Sequence, residues 1–478
     1  MIPYLIKSFR GGVSDETDKG IKGSFKHGYA LDIHKRADSL SCNQAMVQID
    51  GGTVPTLINF FIPSTDGTVY AFGATGSIYA RSGDGAWAGA YNDENGAILG
   101  ASEWTLNDGT RYLYWATATS LARAAITGSQ AVPWVAGVAT QDYKTDLTLA
   151  DWHTMKPAGG SLLIANKENL AEVDYTGAYD ADALNIRPGN LINTLDEVDD
   201  EVILGSETTT GSEEGYLWKW DLATTNWSQK KRIPVKGINA LINTELLLAQ
   251  GGTNGELFYS DFVNAVPLVA VPGGGQVNPG GVSIEDDIAI FGMYGGTYPG
   301  LWSYGRRRKN RSLALNYNYR LSGTVNGSTI STIGAVLMVN DELLASWGIS
   351  DGSTSTYGVD STSSTTKASA LYEGLEFDGG TPHLKKTFET INLTMTAMGS
   401  GTSVAAKFKL DGETDWRYAV TGAGDTTYGI EGSTEAIFNL GKPGNIYEVG
   451  VELTPQENHG PEILAVTSYL ADETYTHG

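Results

Sequence analysis

The chain is poor in cysteine, in positive charge and in long apolar runs. Cys42 is the one cysteine among 478 residues, so no intramolecular disulfide can staple the fold. Thirty-two Lys and Arg face 55 Asp and Glu, for a formal net charge of −23. That balance excludes a nucleic-acid binder acting through bulk positive charge. Charged residues reach only 18% while aromatics reach 10%, which excludes a disordered chain. No stretch approaches the roughly 18 apolar residues of a membrane span. The apolar run Met1–Lys7 is too short for a signal-peptide core, and no small-residue cleavage site follows it. Synthesis in a cytoplasm, in soluble form, is therefore expected. Amphipathic helical periodicity is nearly absent as well.

Glycine is abundant instead: 60 residues, against a usual ~7%. It has no strict period, which excludes collagen. Short apolar or alternating runs recur between Gly, Asn, Asp, Ser and Thr, the grammar of strands and turns. Asp66-Gly67, Asp108-Gly109, Asp351-Gly352 and Asp411-Gly412 are turn dipeptides between such runs. One set of apolar strands centres near Tyr70, Tyr114, Ile164, Ile203, Leu248, Ile290 and Ala345, spaced 39 to 55 residues apart. A second strand follows each closely, for example Gly215-Tyr216-Leu217-Trp218-Lys219-Trp220 and Gly300-Leu301-Trp302-Ser303-Tyr304. A repeat of about 40–50 residues holding three or four strands is the signature of a β-propeller blade. Each blade is a small sheet that buries its faces only against its neighbours. Seven repeats are expected between Val54 and Asp378.

Outside the repeats the pattern changes. Residues 1–36 hold seven Lys/Arg and four acids, a net of +3 in a chain of −23. They read as an extended arm, with residues 1–53 supplying the arm and closing strands. After Gly379-Gly380-Thr381-Pro382 come longer alternating runs, including Phe388 to Thr396, Val404 to Leu410 and Ile446 to Leu453. Residues 379–478 therefore read as an antiparallel β-sandwich, jelly-roll-like. The fold class is all-β: a propeller of about seven blades with an extended N-terminal arm and a C-terminal sandwich.

Chemistry-bearing residues are thinly spread. Cys42 lies in an alternating run and reads as a small buried apolar residue. His27, His34, His153, His383, His459 and His477 form no zinc spacing, and His27 and His34 read as solvated. No nucleophile elbow, phosphate loop or dinucleotide fingerprint is present. Ser82-Gly83-Asp84-Gly85-Ala86-Trp87 resembles a shortened version of the turn found in sialidase propellers, and reads as a hairpin turn. The acidic cluster Asp196, Glu197, Asp199, Asp200 and Glu201 lacks the glycine-punctuated spacing of a calcium loop and also reads as a turn. The basic cluster Arg306, Arg307, Arg308, Lys309 and Arg311 reads as a salt-bridge patch between subunits. Trp218 and Trp220, two apart on one strand, share a face that packs against the next blade. No catalytic residue, cofactor or metal is expected.

Three stretches carry a resemblance. Phe9-Arg10-Gly11-Gly12-Val13-Ser14-Asp15, followed by Gly28-Tyr29-Ala30-Leu31-Asp32-Ile33 and Lys35-Arg36-Ala37-Asp38, resembles the opening of tail proteins of tailed bacteriophages. Leu301 to Arg307 and Leu343 to Trp347 resemble the propeller domains of phage structural proteins, and Lys386 to Ile391 with Gly460 to Leu464 resemble their sandwich domains. The resemblance implies a virion structural protein in the tail or its adsorption apparatus. Its partners would be copies of itself and neighbouring tail proteins, with a host surface glycan or receptor as a further partner. No membrane span and no specific nucleic-acid binding are expected. Phe9, Arg10, Lys35, Arg36, Arg306, Arg307 and Arg308 are the residues assigned to assembly. A receptor- or glycan-binding tail protein is the alternative reading, a propeller glycosidase or sialidase the next.

Overall fold

In a computed structural model, residues 2–14, 23–36, 38–126, 132–210, 213–381 and 383–472 are described. Lys19 and Lys22 of the arm, Ala37, Pro382 of the linker and His477 lie outside them. The described chain is built almost wholly of antiparallel strands, with one helical turn at Ser322–Val325.

Seven four-stranded sheets follow one another along the sequence. They are numbered here as blades one to seven. The inner strands are Ile58–Pro63, Gly100–Thr105, Met155–Ala158, Asn190–Val198, Ile238–Asn243, Val282–Glu285 and Thr332–Val339. Within each of the first six blades the strands run in chain order from the inner strand outward. In blade seven the fourth strand is Gln44–Gln48, drawn from the N-terminal side of all the repeats. Just after it, Ile49 N–H donates to Val359 O at 2.9 Å. The apolar runs that mark the repeat in the sequence are the second and third strands of each blade, which have neighbours on both edges. The chain is therefore a seven-bladed β-propeller with a further sandwich.

The ring is tied at every interface by a hydrogen bond near the start of an inner strand. Asn59 Nδ2 donates to Ile98 O at 2.8 Å, joining blades one and two. His153 N donates to Leu99 O at 2.8 Å, and Thr154 Oγ1 to Asn193 O at 3.2 Å. Asn193 Nδ2 donates to Ile238 O at 3.3 Å, and Gln250 Oε1 accepts from Val277 N at 3.2 Å. Asn278 Nδ2 donates to Ile333 O at 2.8 Å, and Ile58 N to Ser346 Oγ at 2.9 Å, which closes blade seven onto blade one. Asn59, Asn193 and Asn239 each sit at a register shift of their inner strand. Such a bulge turns the extra residue out of the ladder and frees its side chain to reach elsewhere. The inner strands also abut so closely that a Cβ on Gly100 would stand 1.7 Å from His153 O, and one on Gly334 would stand 2.0 Å from Ile58 O.

Between blades the core is apolar and aromatic. Trp218 and Trp220 share a cluster with Leu163, Leu170 and Leu184, so their common face packs against a neighbouring blade, the preceding one and not the next. Trp115 donates its indole N–H to Asp93 at 2.6 Å, and Trp347 donates to Asp360 at 2.8 Å. These large rings thus bury their area without stranding a polar edge.

By internal contacts the chain divides into two compact units, residues 47–300 with 321–361, and residues 1–46 with 301–320 and 362–478. The second unit holds the sandwich. One of its sheets runs Ile2–Ile6, Glu462–Asp472, Lys386–Met395, Glu435–Gly444. The other runs Arg417–Tyr418, Ser403–Leu410, Tyr447–Thr454, Ala370–Glu373, His27–Tyr29. Phe388 of the first stacks on Tyr447 of the second at 4.4 Å. Two strands of the arm, Ile2–Ile6 and His27–Tyr29, are edge strands of its own chain's sandwich, while Gly12–Val13 and Ser24–Phe25 pair as a separate two-stranded sheet. Ala370–Glu373, which precedes the Gly379-Gly380 turn, already pairs with Tyr447–Thr454.

That folding-in overturns one expectation. His34 is not solvated: it is 8% exposed, with Nε2 2.8 Å from Ser303 Oγ. Ser303 gives its only proton to Asn318 Oδ1 at 2.8 Å, so the imidazole must donate from Nε2. Burial, with Lys35 a smaller contribution, lowers the His34 pKa to about 4. His27 is likewise lowered to about 4, by burial and then by Lys407. Cys42 is buried as expected, and burial raises its thiol to about 12.

Candidate functional site

The propeller unit carries two adjoining cavities along its inner strands. Both are lined by consecutive stretches of the strands of blades four to six, and Pro279 lines both. The first lies where those strands begin. It measures about 310 Å³ and is lined by Asp151, Trp152, Asn193, Glu207, Asn239, Gln276, Val277, Asn278, Pro279 and Tyr294. The second lies where the strands end, measures about 750 Å³, and is lined by Lys156, Asp196, Glu197, Asp199, Asp200 and Asn243 among others.

The smaller cavity is a set of fixed polar groups with two aromatic rings. The bulges at Asn193 and Asn239 bring these side chains to it. Asn193 is held by Ile238 O, as above, and Asn239 Nδ2 donates to Gln250 Oε1 at 2.9 Å and Gly252 O at 2.8 Å. Tyr294 hydroxyl donates to Asn278 Oδ1 at 2.7 Å and accepts from Gln276 Nε2 at 3.1 Å. Trp152 stands edge-to-face on Phe60 of blade one, with centroids 6.0 Å apart. The backbone after it is pinned because both ring nitrogens of buried His153 are within hydrogen-bond distance of carbonyls, Ala165 O at 2.7 Å and Ala118 O at 3.2 Å. Glu207 is half-buried. Burial first, then the neighbouring charge of Asp151, raises its pKa from the ordinary glutamate value. The site can therefore offer amide donors and acceptors, carboxyl oxygens and an aromatic face, all held in place before any ligand arrives.

The larger cavity answers the question of the acidic cluster. Asp196 accepts from Lys156 Nζ at 2.7 Å and from Asn243 N at 3.1 Å. Asp199 and Asp200 form the hairpin turn itself, with φ of 52° and 63°. Both central residues of such a turn must be left-handed, a demand usually met by Asn-Gly. Glu201 pairs with Lys219. Among the described residues no group of three His, Cys, Asp or Glu is placed to hold a metal ion.

The residues assigned to assembly fall into different settings. Phe9 is wholly buried, edge-to-face on Tyr372 at 5.5 Å, so it belongs to the core of its own unit and not to an assembly surface. The reason is the pairing of the arm with its own sandwich. Arg10 is half-buried. Lys35 and Arg36 are exposed, and Arg36 pairs with Glu462 at 2.5 Å within the same unit. Arg306 folds back, Nη1 donating to Lys309 O at 3.0 Å and Arg311 O at 3.2 Å. Arg307, Arg308 and Lys309 stand exposed at the tip of that loop.

The residues that line the smaller cavity have no contiguous sequence signature, because they come from separate blades and converge only in the ring. One signal was available: Ile58-Asn59, Ile192-Asn193, Ile238-Asn239 and Val277-Asn278 repeat an aliphatic–Asn pair near the start of four inner strands.

No protein-family model and no curated protein matches the chain in sequence. Solved structures resemble it in fold. The extracellular domain of the one-component system BT4673 from B. thetaiotaomicron is 12% identical, with a TM-score of 0.48 over 79% of this chain and 45% of that one. This chain thus spans less than half the length of that protein. The WD40 propeller of Doa1 is 13% identical, with a TM-score of 0.44 over 67% of this chain and 96% of that one. Streptogramin B lyase is 7% identical, with a TM-score of 0.45 over 66% and 97%. These three differ in what their names describe, and at such identities the likeness extends to the fold alone.

Proposed function

We propose that the chain is a structural component of a tailed-bacteriophage virion, placed in the tail or its adsorption apparatus and working without catalysis. Its partners are copies of itself and neighbouring tail proteins. The observation that carries this reading is the setting of the Gly-Gly-Val-Ser element, one of the stretches that resemble tail proteins. Gly12–Val13 pairs in parallel with Ser24–Phe25, and Ser14 N donates to Phe25 O at 2.9 Å. Gly12 is left-handed at φ +73°, and a Cβ there would stand 2.4 Å from Leu315 O. The element therefore works as a backbone lock that anchors the arm in its unit. Its glycines are demanded by close approach and not by any ligand.

Mass spectrometry of purified particles of the phage encoding the chain tests the reading. The chain should be present at a fixed copy number per particle and enriched in isolated tails. Its absence from particles, or its recovery only from the lysate, would overturn the proposal.

A further inference from the structure

We infer that the smaller cavity of the propeller channel is a binding site for a neutral saccharide. The inference rests on the cavity alone and stands or falls separately from the virion reading. A volume of about 310 Å³ lies at the small end of the range for small-molecule sites, about 300–1,000 Å³. The lining contains no lysine or arginine, so a phosphate, sulfate or uronic acid would meet the carboxylates of Asp151 and Glu207 with no cationic side chain on the cavity wall.

What the lining does contain suits hydroxyl groups. Asn239 has spent both amide protons on Gln250 and Gly252 and presents its Oδ1 as an acceptor, Gln276 keeps one amide proton and its Oε1, and the carboxyl groups of Glu207 and Asp151 accept from paired hydroxyls. Trp152 and Tyr294 supply the apolar faces against which the C–H side of a sugar ring packs. A simple amine would use the two carboxylates and leave the amides and rings without a role. Preorganisation adds to this. The amides of Asn193 and Asn239 and the hydroxyl of Tyr294 are already fixed by the protein, so little side-chain freedom is lost on binding.

The test is an array of neutral hexose and N-acetylhexosamine oligosaccharides probed with the full chain, then calorimetric titration of the glycan that binds. Trp152→Ala and Glu207→Gln should each weaken binding at least about tenfold, and Tyr294→Phe by about threefold. Tyr418→Ala, an exposed ring on the sandwich, should leave binding unchanged. Glu207→Gln is nearly isosteric and decides the matter if Trp152→Ala fails to fold. An array with no neutral glycan bound overturns the inference. So does binding that survives both Trp152→Ala and Glu207→Gln in folded protein, or a bound glycan displaced by spermidine as readily as by free sugar.

Discussion

The side chain of Asn193 shows how much one residue carries in a ring of repeats. Its amide crosses from blade four to Ile238 O of blade five. Both groups are buried, so removing the donor strands a carbonyl as well as breaking a bond. Leaving a buried partner unsatisfied costs about 1–3 kcal/mol. Asn193→Ala should therefore lower stability by about that amount, read from the urea unfolding midpoint with an unchanged slope. A loss well under about 0.5 kcal/mol, the size of ordinary surface changes, would mean that water replaces the bond. His34 gives a second residue-scale expectation, and its sign can be worked out. Its pKa falls from 6.5 in the unfolded chain to about 4 in the native one. Above pH 6.5 neither state binds the proton and stability is unaffected. As pH falls below 6.5 the unfolded chain takes up a proton that the native chain refuses, so stability is lost progressively down to about pH 4. The slope approaches about 1.4 kcal/mol per pH unit between the two values, or about 1.6 kcal/mol between pH 6.5 and pH 5. His34→Gln keeps a donor for Ser303 but cannot titrate. Urea midpoints at a series of pH values should fall less steeply for the variant than for the wild type. Parallel curves would show that His34 is not held neutral.

Elements differ in how far the sequence reveals them, and the reason is burial. The second and third strands of every blade have neighbours on both edges, so runs such as Leu162 to Ala165 or Ile288 to Met293 are wholly buried and stand out. Outer strands such as Ala139–Lys144 and Gln229–Ile233 face solvent on one side and carry mixed polar residues that resemble loops. Inner strands lose their alternation where a bulge intervenes, as at Asn193, so the elements that build the cavity are the ones least legible. The arm hides a different feature. Its charge is visible, but its pairing with Glu462–Asp472, more than 400 residues away, has no local signature. Ile2–Ile6 matches Val466–Leu470 residue by residue. Removing residues 1–7 should uncover that edge. The amides of 466–470 that bond to it should then exchange with deuterium markedly faster, while those of blades one to five stay protected. Unchanged exchange at 466–470 would show that the first strand is dispensable to the sandwich.

At the scale of the whole molecule, charge is the property that most constrains association. A net of −23 makes copies repel unless opposite patches meet, and the loop 306–311 is the densest positive patch. Within it the roles divide. Arg306 donates to the loop's own carbonyls, and Arg307 and Arg308 are exposed. If this loop joins copies of an acidic chain, the contact is made of exposed charges and must weaken with salt, because screening is nearly complete beyond about 8 Å at physiological ionic strength. Sedimentation of the wild type should show self-association at about 50 mM salt that largely dissociates by about 500 mM, where the screening length shortens further. Arg307→Ser with Arg308→Ser should weaken the low-salt association by about tenfold or more and flatten its salt dependence. Arg306→Ser should weaken it too, but with faster amide exchange across 306–311, since it removes the loop's internal support. A wild type that stays monomeric at every salt concentration would take self-assembly away from this loop.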